Sequence, residues 1–308
     1  MAAALAGHAA GDAKGRTGAC RQDARCLMHR SLSMSSPNQS ERDFTDTGMR
    51  RRRASTHGGY GWVRDLPDTR DFYYSAPLAQ IGPLPDKVDL RPHCPAVYDQ
   101  GQLGSCTANG IAAAIEFDQM KQGTKTFVPS RLFIYYNERA IEGHVNQDSG
   151  AQIRDGVKSV STLGAPPETM WPYNIAKFTD KPPKPAYTEA KKDLVSLYAR
   201  VPQVLTQLQG CLASGFPFVF GFTVYESFES DAVAQTGMVP MPKPGEQVLG
   251  GHCVVAVGYD NANRHFIVRN SWGVNWGLQG YCMMPYEYIV SPQLSSDLWT
   301  LRSVKTHK

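Results

Sequence analysis

Residues 99–120 read DQGQLGSCTANGIAAAIEFDQM, a loop carrying Gly101 and Gly104 that runs into a stretch rich in helix formers. Cys106 stands at the joint. The alanines at 108 and 112–114 and Gly110 predict a closely packed central helix beginning at or beside the cysteine. Two readings of Cys106 follow. Free cysteine is among the most buried residue types, so a small side chain in a tight helix is the ordinary one. The other is a nucleophile, because exposed N–H groups and the positive dipole end at a helix N-terminus favour thiolate over thiol. A thiol of pKa ~8.5 is mostly protonated at neutral pH, whereas pairing with histidine can bring it to ~3–4. The rest of the chain must supply the histidine.

Two further stretches bear on this. LGGHCVVAVGY (249–259) places His252 at the start of an apolar strand, after two glycines that leave room for another backbone or a substrate. A histidine that merely caps a strand is the alternative. RNSWGVNWGLQGY (269–281) places Asn270 at a strand end, followed by Trp272 and Trp276 among glycines. An asparagine oxygen can accept from an imidazole N–H and fix its tautomer, with a tryptophan keeping water off the bond. A turn capped by aromatics is the competing reading. HCVVAVGYD (252–260) and HFIVRNSW (265–272) flank one short turn, DNANR, so they form a hairpin in which His252 and Asn270 can be cross-strand neighbours.

Three blocks therefore stand in order: Q-x5-C at Gln100 and Cys106, G-H-x-V-x-x-V-G-Y at Gly251–Tyr259, and N-S-W-G-x-x-W-G-x-x-G-Y at Asn270–Tyr281. Over residues 87–300 the chain resembles the papain-like cysteine peptidases, the cathepsin fold, in its bacterial, xylellain-like branch. His252 follows Cys106 by 146 residues and Asn270 by 164, beside the roughly 130–150 usual for the family. The resemblance implies an α+β, two-lobed fold, with a helical lobe, an antiparallel β-barrel-like lobe and the active-site cleft between them. It implies Cys106 as nucleophile, His252 as general base and then acid, and Asn270 as the residue orienting the imidazole. It implies Gln100 as the side-chain donor of the oxyanion hole, beside the backbone N–H of Cys106. Gly150, Ala151 and Gly251 would bind the substrate backbone, and Trp272 would shield the His–Asn pair at the edge of that site. The implied reaction is peptide-bond hydrolysis through a thioester, of endopeptidase type, on peptide or protein substrates and with no metal or organic cofactor.

The chain also departs from the family pattern. Thr107 replaces the aromatic residue after the nucleophile, a change expected to alter the cleft wall without removing a catalytic role. Leu103 replaces the second cysteine three residues before it, so the disulfide beside the active site is not expected. Cys253, next to His252, should face the core, because strand neighbours point to opposite faces.

Length and composition fit this frame. The 308 residues suffice for one large or two ordinary domains, and 42% hydrophobic with 19% charged residues is globular. The net charge of +4 belongs to residues 1–57, which carry a local +5 and leave the remainder at −1. That balance argues against a nucleic-acid-binding body. No apolar run is long enough to span a membrane. Seven cysteines cannot all pair within the chain, and none has C-x-x-C or zinc-like spacing.

Residues 1–57 lack apolar periodicity and read as a disordered basic tail containing the Arg50–Arg53 run. Residues 58–86 are aromatic and broken by proline, which predicts an extended segment lying on the body, across the cleft, as a short pro-segment. Residues 87–308 form the peptidase domain, with a helical lobe at about 100–190 and a β lobe at about 191–308. Helices are expected over 106–120, 129–143 and 149–164, and in LTQLQGCLAS, with strands over 216–225, in the hairpin, in GYCMMPYEYIV and in DLWTLRSV. A long loop is expected through KFTDKPPKPAY. A monomer is expected. With no recognisable signal peptide the cytoplasm is the expected compartment, and secretion by a non-standard route is the alternative.

Two other functions compete with the peptidase. One is a catalytically silent papain-like protein that binds a peptide or partner. Retention of Gln100, Cys106, His252 and Asn270 together speaks against it. The other is a nucleic-acid or membrane-surface protein acting through Arg50–Arg53, for which four charges on a tail are too few.

Overall fold

A computed structural model describes residues 59–76 and 83–306. The tail expected over 1–57, with its arginine run, lies outside the described residues. The chain opens with β1 (Trp62–Val63) and β2 (Lys87–Asp89), followed by α1 (Cys106–Gln122) and α2 (Arg131–Glu142). Next come β3 (Ala151–Gln152), α3 (Ile153–Thr162), α4 (Lys184–Ala190), β4 (Asp193–Arg200), α5 (Leu205–Ala213) and β5 (Phe218–Tyr225). The remainder is α6 (Asp231–Thr236), β6 (Val248–Asp260), β7 (His265–Arg269), β8 (Tyr281–Pro285), α7 (Tyr286–Val290) and β9 (Ser295–Thr306).

Local chemistry sets the helix ends. Ser130 caps α2 by accepting from the Phe133 N–H, and Gly143 closes it in the left-handed region at φ 78°. Helix α1 is buried from Cys106 through Gln119, which explains its small residues. A Cβ at Gly110 would sit 3.2 Å from Val219 and 3.3 Å from the Cys253 sulfur. Strands β4, β9, β5, β6, β7 and β8 form one sheet in that order, with β2 added on β6 and each of these pairings antiparallel. The end strands β4 and β8 do not pair, so the sheet is open where a barrel-like closure was expected.

The two-residue period of β5 and β6 sorts the core into two clusters. Phe218, Phe220, Phe222, Val254 and Ala256 join an aromatic cluster with Phe228, Phe266, Trp272, Trp276 and Tyr288. Val219, Cys253, Val255 and Val257 join the other, with Cys106, Ala108 and Ile111 of α1 and Ile134 of α2. His252 pairs with Phe222 across the strands, on the aromatic side.

Three expectations are revised by the structure. The run YEYIV folds as α7 rather than as strand, since Pro285 ends β8 and helical spacing buries Tyr286, Tyr288 and Ile289. The Pro/Lys loop ends in α4, where Pro185 stands in the first turn, a position that needs no N–H partner. Helix α3 starts at Ile153 rather than near 149, because Ala151–Gln152 pairs in parallel with β1.

Candidate active site

Cys106 is the first residue of α1 and is fully buried, at the end of the loop that begins with Gln100. That loop is fixed by directional bonds. The Gln100 N–H donates to the Ser271 carbonyl at 2.9 Å, and its side-chain Oε1 accepts from the Ser271 hydroxyl at 2.6 Å. Two backbone carbonyls on the other amide atom settle the orientation, because a carbonyl only accepts and that atom must be the donor Nε2. It donates to the carbonyls of Leu103 at 2.9 Å and of Gly59 at 2.8 Å. Asp148 accepts from the Gly104 N–H at 3.0 Å.

His252 is held differently. Its Nε2 lies 2.8 Å from Asn270 Oδ1, and the same oxygen accepts from the Ser271 N–H at 2.8 Å. Accepting from a backbone N–H identifies that atom as oxygen, so Nε2 of the neutral ring carries the proton and Nδ1 keeps its lone pair. The Trp272 ring stacks on the imidazole at 4.8 Å and 28°. Phe222 and Tyr60 meet it edge-on at 5.8 and 6.3 Å. Burial among these rings lowers the His252 pKa to about 4, while the Asn270 bond and the Glu229 charge pull the other way.

The segment Gly59–Val63 lies against these residues. Besides placing its Gly59 carbonyl on Gln100, it donates from the Gly61 N–H to the Gly251 carbonyl at 3.1 Å and accepts at the Gly61 carbonyl from Ala151 N–H at 2.8 Å. The Trp62 ring lies over Gly221, where a Cβ would come within 2.0 Å of it, and its Nε1 donates to Asp297 at 3.0 Å. The Tyr60 hydroxyl donates to Glu229. Close approach requires glycine here: a Cβ at Gly61 would sit 1.6 Å from the Gly104 carbonyl, and one at Gly150 would sit 2.0 Å from the Gly61 carbonyl.

Beyond these contacts the same segment is anchored by charge. Arg154 donates to Asp71 from Nε and Nη2. Arg200 spans Asp65 at 2.7 Å, Asp71 at 3.0 Å and Asp297 at 3.3 Å. Burial, reinforced by the neighbouring Asp297, raises the Asp65 carboxyl to about 7 against the pull of Trp299, Arg154 and Arg200.

The sequence-derived residues thus divide. His252 and Asn270 are hydrogen-bonded, Gln100 meets Ser271 beside them, and Gly150, Ala151 and Gly251 all border the occupying segment. Thr107 does not form cleft wall. It is fully buried and donates to the buried Glu138 at 2.6 Å. No disulfide joins the five described cysteines, and Cys253 packs toward α1. Ser271 was missed although it sits inside the N-S-W block, because an acceptor partner for a serine has no sequence signature. Tyr173, Asn109 and Arg131, which donate to the carbonyls of Gln100, Ser105 and Asp99, carried no signal. Among the described residues no cluster suits a metal ion, and no helix is long and apolar enough to cross a membrane.

Residues 84–295 match the family model described as papain family cysteine protease. The chain is 44% identical over 270 residues to an uncharacterized peptidase C1-like protein of Acanthamoeba polyphaga mimivirus, covering 80% of this chain and 87% of that one. Among solved structures it resembles xylellain, a cysteine protease from Xylella fastidiosa, at TM-score 0.76 and 46% identity, over 84% of this chain and 99% of that one. A procathepsin B of Trypanosoma congolense, 18% identical, shares the fold at TM-score 0.63 over 80% of this chain and 87% of its own. A virus and a bacterium supply the two nearer of these three, so the bacterial affiliation rests on xylellain alone.

Proposed function

The chain belongs to the papain family of cysteine proteases, and we propose that it hydrolyses internal peptide bonds through an acyl-enzyme on Cys106. In this reading the Cys106 thiolate attacks the carbonyl carbon, and the resulting oxyanion is held by Gln100 Nε2 and the Cys106 N–H. The imidazolium of His252 gives its proton to the leaving amine as the C–N bond breaks. His252 then takes a proton from water, which attacks the thioester and releases the acid and the thiol. Asn270 keeps the imidazole in the tautomer that can do both. The observation that supports this most is the doubly occupied Asn270 Oδ1, which leaves Nδ1 of His252 as the basic nitrogen.

Residues 58–86 act in this reading as the pro-segment. The Gly59 carbonyl sits on the amide that would hold the oxyanion, and β1 pairs with the edge at Ala151 that would bind substrate backbone. The same occupancy favours a second reading, a silent papain-like binding protein whose groove holds a peptide without cutting it.

A thiol-directed epoxide peptide inhibitor followed by peptide mapping separates the two. It is applied to the full chain and to Gly61→Ala, whose Cβ cannot fit against Gly104. The peptidase reading expects labelling of Cys106, faster in Gly61→Ala and lost in His252→Ala. No modification of Cys106 in either folded protein would contradict it.

A further inference from the structure

Tyr173 follows Pro172 in the segment between α3 and α4, and its hydroxyl reaches both ends of the loop that carries the oxyanion donors. It lies 2.9 Å from the Gln100 carbonyl and 2.5 Å from the Ser105 hydroxyl. Gln100 carries one donor on its side chain, and Ser105 immediately precedes the other, the N–H of Cys106.

Hydrogen counting leaves one arrangement of protons. A carbonyl only accepts, so Tyr173 donates to Gln100 and must accept from Ser105. Ser105, having donated, accepts from Asn109 Nδ2 at 3.0 Å. Asn109 Nδ2 also donates to the Ser105 carbonyl at 2.9 Å, and its Oδ1 accepts from Arg131 Nη1 at 3.2 Å. Arg131 is in turn fixed by two bonds to Glu168, at 2.8 and 2.7 Å, and donates to the Asp99 carbonyl at 3.2 Å. Its guanidinium carbon lies 4.1 Å from the Tyr173 ring centroid. The donor order therefore runs from Arg131 through Asn109, Ser105 and Tyr173 to Gln100, each bond polarising the next. Burial pushes the Tyr173 phenol up to about 12, outweighing the hydrogen bonds and the Arg131 charge that lower it, so the hydroxyl keeps its proton at neutral pH.

We propose that Tyr173 is a positioning residue for the oxyanion hole, setting the distance between the Gln100 and Cys106 donors through its bonds to the Gln100 carbonyl and the Ser105 hydroxyl. This rests on the reading of Gln100 as an oxyanion donor. It acts on the hole alone and leaves the nucleophile and the base as they are.

Two probes of Cys106 distinguish these roles. A peptide aldehyde adds the Cys106 sulfur to its carbonyl carbon, and the oxygen of the hemithioacetal enters the hole. Iodoacetamide alkylates the sulfur with loss of iodide and builds no oxyanion. In the full chain, Tyr173→Phe keeps the ring on Arg131 and removes only the hydroxyl. Its aldehyde affinity should fall ~10-fold, the worth of about one hydrogen bond, with kcat reduced similarly and KM little changed. The iodoacetamide rate at Cys106 should stay as in wild type. Ser105→Ala, which keeps the Tyr173–Gln100 bond, should fall between the two and provides a second readout if Tyr173→Phe folds poorly. Unchanged aldehyde affinity in both variants, or equal loss in both probes, would overturn the Tyr173 assignment while wild type still captures aldehyde. A Gly61→Ala chain, whose added Cβ cannot fit against Gly104, that alkylates but captures no aldehyde would overturn the Gln100 reading itself, and this proposal with it.

Discussion

Gln100 and His252 are both fully buried, yet they are held by opposite means. Gln100 is tied at every polar atom: its N–H and Oε1 to Ser271, its carbonyl to Tyr173, its Nε2 to Leu103 and Gly59. His252 has one ring hydrogen bond, to Asn270, and is otherwise enclosed by the rings of Trp272, Phe222 and Tyr60. In the proposed mechanism the difference follows from what each group would be asked to do. A donor aimed at charge that exists only briefly must already point the right way, since turning at that moment would cost what it stabilises. A base that alternates between neutral and charged needs its ring plane fixed and water kept away. Aromatic faces supply both without competing for its second nitrogen.

The largest expected effect breaks the directional half. Gln100→Ala should lower turnover of a fluorogenic peptide ~10²–10³-fold, about 2.7–4 kcal/mol, while the alkylation rate of Cys106 stays near wild type. If alkylation fell in step with turnover, Gln100 would be supporting the thiolate rather than the oxyanion.

A smaller effect tests the aromatic half through its one polar bond. Asn270→Ala leaves the Nε2–H of His252 buried without its acceptor, a cost of about 1–3 kcal/mol, so kcat/KM should fall roughly 10–100-fold. Because the Asn270 bond raises the His252 pKa, its removal should lower that pKa further. Imidazole proton NMR across a pH titration reads the shift, and a rise would show that Asn270 acts by hydration instead.

The mildest perturbation is pH, and it acts on the segment that touches both halves. The Asp65 carboxyl lies among Asp297, Arg200, Arg154 and Trp299, with Glu142 also raised to about 7 on the neighbouring face. Docked, Asp65 titrates near 7, against 3.8 as the ordinary value. The docked state therefore binds the extra proton, its advantage is complete below that ordinary value, and it is lost as pH rises through about 7. Protection factors at the Gly61 and Asp65 amides in Cys106→Ala, with the intrinsic exchange rate at each pH divided out, should accordingly fall from pH 5 to pH 8. As Tyr60 withdraws, the His252 pKa should move back up, because burial is what lowers it.

Legibility in the sequence tracked how local each requirement is. The loop before Cys106, the glycines before His252 and the N-S-W block are contiguous because each serves one turn or one strand end. Strand alternation alone was enough to set His252 and Cys253 on opposite faces. What stayed hidden depends on distant partners. Nothing in Y-G-W shows that Gly61 meets Gly104 and Gly150, and nothing in W-P-Y shows that Tyr173 reaches back 73 residues to Gln100. YEYIV misled because a short apolar run has no period of its own, and the proline before it was the only local clue. The open sheet was not foreseeable from strand content, since closure depends on whether β4 and β8 reach one another.

The glycine contact at residue 61 has a further consequence, for measurement. In the pro-segment reading the occupant of the groove is part of the same polypeptide, so its local concentration does not fall on dilution. Any added peptide competes with it, and its apparent dissociation constant is the intrinsic one divided by the fraction of molecules with an open groove. Weak apparent binding by the full chain would then report how seldom the groove stands open rather than how poorly it fits its ligand. Gly61→Ala, by raising the open fraction, would tighten every such ligand by one common factor, whatever its sequence.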